Sequence, residues 1–142
     1  MIGATVHVLI AEFMDEAAVA LLRSRFATIY EPELVVRREE LLGAVAEADA
    51  LIVRNATRVD GELVAAARKL RVVGRLGVGL DNIDLPACAA RGIQVIPATG
   101  ANALAVAEYV IGTTMALLRR AYGSTPTVAA GEWPRASLVH GR

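Results

Sequence analysis

Aromatic residues are scarce in this 142-residue chain, at 4% against 55% hydrophobic residues, so any core must be built from Ala, Val, Leu and Ile. There is one cysteine, Cys88, which excludes an internal disulfide and suits a reducing compartment. No charge sign dominates: 15 basic and 15 acidic residues leave a formal net charge of +0, which argues against a nucleic-acid partner. Apolar runs of membrane-spanning length without interruption are missing. So is a basic N-terminal region followed by a long apolar stretch, and neither a membrane span nor a signal peptide is expected. The two histidines, His7 and His140, belong to no group with metal-ligand spacing. The expectation left standing is a soluble, cytoplasmic domain, long enough for one sizeable core.

What is present is a regular alternation of short apolar runs and helical patterns. Strands are expected at residues 5–10 (TVHVLI), Ala27–Tyr30, Ala50–Val53, 71–73 and 93–96. Helices are expected between them at 14–23, at 38–46 with Leu41, Leu42 and Val45 inward, and from a cap at Asp60 through Ala67. Another is expected at Leu85–Ala90, capped by Asp84, with Pro86 tolerated in its first turn and Gly92 closing it. This order predicts an α/β fold, a flavodoxin-like open parallel sheet with flanking helices, over residues 1–97. From residue 98 the character changes. Pro97-Ala98-Thr99-Gly100 is turn chemistry and a candidate hinge, and 104–120 reads as one long helix whose only charge before the terminal arginines is Glu108. Its apolar residues fit no single stripe, so it should be covered on several sides, by another domain or another subunit. Glu108, Gly112, Thr113 and Thr114 interrupt the run and weaken a membrane reading. The tail 121–142, with Pro126, Gly131, Pro134 and Gly141, reads as an extended arm, and Trp133 as an interface anchor.

The stretch VVGRLGVGLDNID, residues 72–84, carries the chemistry. Glycines at 74, 77 and 79 let backbone N–H groups approach a ligand, and the positive end of the next helix would favour an anion. The alternative is that they only permit a tight turn. Gly77-Val78-Gly79-Leu80-Asp81-Asn82 begins like G-x-G-x-x-G but has Asn82 at the third glycine, so a cofactor phosphate is not expected there. Arg54 and Asn55 follow the third strand, where ligands collect in open α/β sheets; the alternatives are a solvated strand end and a turn residue. The acids Glu12, Asp15 and Glu16 read as helix-start charges, Cys88 as a small buried hydrophobe, and His7 as a strand residue.

The runs LIVRNATRV, LRVVGRLGVGLDNIDLPACAARGIQVI, GANALAVAEYVIGTTMALLRR and GEWPR resemble the D-isomer-specific 2-hydroxyacid dehydrogenases, particularly phosphoglycerate-dehydrogenase-like members. The resemblance implies two α/β domains flanking a cleft, the first binding substrate and the second, inserted between segments of the first, binding NAD. The chain is then expected to hold the substrate domain, the crossover helix and a dimerisation arm (98–142). It is expected to stop before the NAD motif and before the His, Glu and Arg that carry hydride transfer, and so to be inactive alone. By the same resemblance, Val78 and Gly79 bind the substrate carboxylate through backbone N–H groups, and Val78 also touches the nicotinamide. Arg54 reaches the distal anionic group, with Asn55 beside it. Arg75 holds the loop or adds positive potential, and Asn102 caps the crossover helix or contacts substrate. Arg135 offers a charge across a homodimer interface. Two departures stand out: Ile96-Pro97-Ala98-Thr99 where the family often has Asn-x-Pro, and Tyr109 where many members have His. The hinge and the several arginines resemble sulfolactate-dehydrogenase-like members, implying a sulfonate in place of a phosphate. A different class, a non-enzymatic small-anion sensor, remains the alternative. Its phospho-receiver form lacks an Asp after the third strand and a Lys after the fifth.

Overall fold

Short runs of β-branched and aliphatic residues form five strands in the computed structural model, which describes residues 5–120 and 122–139. They are β1 (His7–Ile10), β2 (Ala27–Tyr30), β3 (Ala50–Val53), β4 (Val72–Arg75) and β5 (Gln94–Pro97). All pair in parallel, in the order β2-β1-β3-β4-β5. Parallel pairing requires a crossover between neighbours. Those crossovers carry α1 (Glu16–Arg23), α2 (Arg38–Val45), α3 (Gly61–Ala66) and α4 (Leu85–Ala90), with a 3-10 turn at Pro32–Val36 before α2. The turn went unrecognised in the sequence because Pro32 opens a run too short for a helical period.

The caps explain the helix starts. Asp15 accepts from the N–H groups of Ala17 and Ala18, Asp60 from that of Leu63, and Asp84 from that of Ala87. Gly92, with φ of +65°, ends α4 in the left-handed region that the expected closing glycine requires.

The sheet divides the core into two layers. On one face Leu9, Leu51, Val53 and Val73 pack with Leu41, Val45, Leu63, Val64 and Cys88 from α2, α3 and α4. On the other, Val8 and Ile10 pack with Val19 of α1. Arg38 joins the first layer's helices at the surface, pairing with Asp60 and Glu62 and donating to the Arg58 carbonyl at 2.8 Å.

The chain divides into two units between Ala101 and Asn102. The second contains α5 (Ala103–Leu118), α6 (Thr125–Ala129) and α7 (Arg135–Val139). None of the residues of α5 is buried. The tail corrects the sequence reading of an extended arm: Pro126 stands in the first turn of α6 and Pro134 just ahead of α7, positions where proline starts a helix. Among the described residues no helix is long and apolar enough to cross a membrane.

Leu51 lies on the central strand with no exposed surface. Leu51→Ala should lower unfolding stability by about 2–5 kcal/mol, read as a reduced urea midpoint with an unchanged denaturant slope.

Candidate functional site

Because every strand runs the same way, all five end at one edge of the sheet. The end of β3 delivers Arg54 and Asn55. β4 ends at Arg75, in register with Val53 and Pro97, and runs on into the glycine loop. Strand order reverses between β1 and β3, the switch point at which open α/β sheets commonly seat a ligand.

Here that point is filled by a side chain of the protein. Glu12, just after β1, is only 5% exposed. Its Oε1 accepts from the N–H groups of Arg54 and Thr57, both at 2.8 Å, and its Oε2 from those of Asn55 and Ala56, both at 3.2 Å. Burial on its own would raise the Glu12 pKa, but the backbone bonds from Thr57, Arg54 and Ala56 outweigh it and hold the carboxyl below its usual value of 4.5. The reading of Glu12 as a helix-start charge is therefore corrected. Asp15 caps α1 and Glu16 sits in its first turn, while Glu12 organises a loop more than forty residues away.

Asn82 holds the same loop from the other side. Its Nδ2 donates to the Thr57 carbonyl at 2.8 Å and to the Arg54 carbonyl at 3.4 Å. The N–H of Val59 donates to the Asn82 carbonyl at 2.9 Å, and that of Asp84 to the Val59 carbonyl at 2.8 Å. The residue that breaks the dinucleotide fingerprint thus ties the loop after β3 to the glycine loop. The helix start after the glycine loop belongs to the six-residue α4. The Asp84 carboxylate takes the Ala87 N–H at 2.9 Å, so the protein's own negative charge already sits at the start of this short helix.

In the glycine loop, Leu76 donates to the Val53 carbonyl and Gly77 to the Arg75 carbonyl, both at 2.8 Å. The exposed amides of Val78 and Gly79 meet no protein acceptor among the described residues. The Arg75 guanidinium folds back over Gly77, so that a Cβ at that position would fall 2.7 Å from the arginine Cζ and closer still to Nη1. Gly77 is therefore needed for close approach rather than for an unusual φ. The Arg75 Nε is buried without a partner. Arg54 is exposed, and neither it nor Arg75 pairs with a carboxylate among the described residues. One sheet edge thus gathers Arg54, Asn55, Arg75, Val78 and Gly79, a set rich in free donors and suited to an anion with two charged ends.

Asn102 and Arg135 belong to the second unit. Asn102 stands at the N-cap position of α5, but its side chain makes no capping bond; its carbonyl accepts from the Val106 N–H at 2.9 Å. Arg135 opens α7 and is exposed. His7 begins β1, at the opposite end of the sheet from Glu12, and its N–H donates to Asp49. His140 lies outside the described residues. Burial raises the Cys88 thiol pKa, with the Asp84 charge adding to it, so this cysteine is not an activated nucleophile.

The five-stranded parallel sheet with flanking helices is the architecture of a 2-hydroxyacid dehydrogenase domain. Residues 8–128 match the family described as D-isomer specific 2-hydroxyacid dehydrogenase, catalytic domain. The chain belongs to that family. It is 57% identical over 132 residues to the (S)-sulfolactate dehydrogenase of Chromohalobacter salexigens, covering 93% of this chain and 43% of that protein. Over the same share of the chain it is 38% identical to the D-3-phosphoglycerate dehydrogenase of Archaeoglobus fulgidus, of which it covers 25%. Among solved structures, PH0520 of Pyrococcus horikoshii superposes with a TM-score of 0.76 at 28% identity, over 91% of this chain and 38% of that one. The NAD+-bound 3-phosphoglycerate dehydrogenase of Entamoeba histolytica gives 0.66 at 27% identity, over 84% and 41%. The chain therefore spans less than half the length of these relatives.

Two outcomes are expected. The lowered Glu12 pKa contributes stability that is fully present above the ordinary value of 4.5 and is lost as pH falls through the folded value. Glu12→Gln should flatten that acid limb when urea midpoints are compared between pH 6 and pH 3. Gly77→Ala should cost less than about 1 kcal/mol, since only the end of a flexible side chain must move. NMR of the Arg75 Nε–H should nonetheless show that the guanidinium has left its seat.

Proposed function

We propose that this chain is the substrate-binding portion of an NAD-dependent oxidoreductase acting on the CH–OH group of a D-2-hydroxy acid with a second, distal anionic group. The observation that carries the reading is the donor set at the ends of β3 and β4: two guanidinium groups without carboxylate partners beside two unengaged backbone amides. In this reading Val78 and Gly79 take the substrate carboxylate through their N–H groups. Arg54, with Asn55 beside it, takes the distal group in bidentate fashion, and Arg75 supplies positive potential beneath the loop. A sulfonate, as in sulfolactate, is preferred to the phosphate of 3-phosphoglycerate, in keeping with the 57% identity to a sulfolactate dehydrogenase.

The fit to NAD is limited to an edge. Val78, 48% exposed at the loop tip, offers an apolar contact for the nicotinamide, whereas the Asn82 Nδ2 is engaged by the Thr57 carbonyl and the nearby Asp84 carboxylate would repel a pyrophosphate. Bound NAD would supply the hydride acceptor, held mainly by a second domain. Residues 1–97 serve as the substrate domain and 98–142 as hinge, crossover helix and dimerisation arm, in which Asn102 stands at the start of the crossover helix and Arg135 offers a charge across a homodimer interface. The absence of any buried residue in α5 and the 79% exposed Trp133 support a partner for this segment. In this reading the residues described here bind and orient the acid, and none of them is assigned the proton transfer that accompanies hydride transfer. A reducing, cytoplasmic setting fits its single cysteine.

Calorimetric titration of the chain with sulfolactate and with 3-phosphoglycerate tests the proposal. Saturable binding is expected, with sulfolactate tighter and with no NADH formed when NAD is added. Arg54→Met should raise Kd at least tenfold, about 1.4 kcal/mol. Absence of binding to either acid, or a Kd indifferent to Arg54, would overturn it.

A further inference from the structure

We infer that Glu12 is a positioning residue for the anion site, acting through the backbone of residues 54–57 to fix where the Arg54 guanidinium starts; the inference rests on the substrate-binding role proposed above. Four consecutive amides, from Arg54 to Thr57, converge on the two oxygens of one carboxylate at 2.8–3.2 Å. Successive N–H groups aimed at one point form the kind of concavity that elsewhere cradles an external oxyanion. In this chain the anion is internal, buried and covalently tied to the end of β1.

Two consequences follow for Arg54. Its backbone is held at both polar groups, the N–H by Glu12 Oε1 and the carbonyl by Asn82 Nδ2, while its side chain makes no hydrogen bond or ion pair among the described residues. A long side chain anchored this way searches a small volume, so less ordering is needed when it meets an anion. The buried negative charge also occupies the switch point between β1 and β3. An external anion is thereby excluded from that seat and directed to the neighbouring ends of β3 and β4, where the guanidinium groups lie.

Glutamine tests this closely because it keeps the size of Glu12 but offers one acceptor oxygen, and its NH2 group would face two N–H donors. In the 142-residue chain, Glu12→Gln should speed hydrogen exchange of the 54–57 amides at least tenfold and raise the Kd for sulfolactate at least tenfold. The binding loss should largely vanish when Arg54 is already Met, a coupling that general destabilisation would not produce. Affinity within twofold of wild type, or a loss equally large on both backgrounds, overturns the inference. If the glutamine variant does not fold, Glu12→Asp carries the same test. Its carboxylate, one methylene shorter, cannot span all four donors, so Kd should rise at least threefold and only when Arg54 is present; unchanged affinity overturns the inference. Failure of the wild-type chain to bind sulfolactate or 3-phosphoglycerate would instead overturn the proposed site and this inference together.

Discussion

Parallel strands end at one edge, and the loops that leave them carry backbone groups with no ladder left to join. At the end of β3 four successive amides turn toward a single point, and in a partly buried loop each needs an acceptor. The Glu12 carboxylate supplies two oxygens to all four, which is why a charged side chain tolerates near-complete burial here and why its pKa falls although desolvation alone would raise it. The position of Arg54, the direction of the loop and its tie to the glycine loop through Asn82 all depend on that arrangement.

The electrostatic outcome is a division of labour along one edge. At the switch point the protein's own anion satisfies the available donors and leaves nothing for a ligand. One strand further on, acceptors run out. Among the described residues the guanidinium groups of Arg54 and Arg75 have no carboxylate partners, and the exposed Val78 and Gly79 have amides that meet no acceptor. Gly77 belongs to the same design, since any side chain there would evict Arg75. Membership of the 2-hydroxyacid dehydrogenase family gives this edge a chemical context. A substrate of that class has a carboxylate and, in the sulfonated or phosphorylated members, a second anion several bonds away.

The sequence made the alternation of strands and helices readable because its signals are local. Ala27–Tyr30, Ala50–Val53 and Leu85–Ala90 are bounded by caps and turns that act within a few residues, and those segments emerge with the boundaries expected of them. β4 extends two residues beyond the expected end, because pairing of Gly74 and Arg75 with β3 and β5 overrides the glycine punctuation. The short helices of the tail are not legible locally, because Pro and Gly signal breaks equally well between short helices and along an extended arm. The role of Glu12 is hidden for a different reason. An acid after a strand looks like a cap, and its real partners lie 42 to 45 residues away, a distance no local pattern spans. Asn82 was noticed only as a failed glycine, for its carbonyl partners belong to another crossover.

The measurement that bears most directly on the central claim is amide and guanidinium chemical-shift mapping of the isotopically labelled chain titrated with sulfolactate. Saturable shifts confined to the Val78 and Gly79 amides and the Arg54 and Arg75 Nε–H groups, with those of 54–57 moving little because Glu12 already holds them, are the expected result. Shifts centred on the 54–57 amides would place the anion at the switch point, displacing Glu12. That result, or shifts scattered over the surface without saturation, would contradict the site described above.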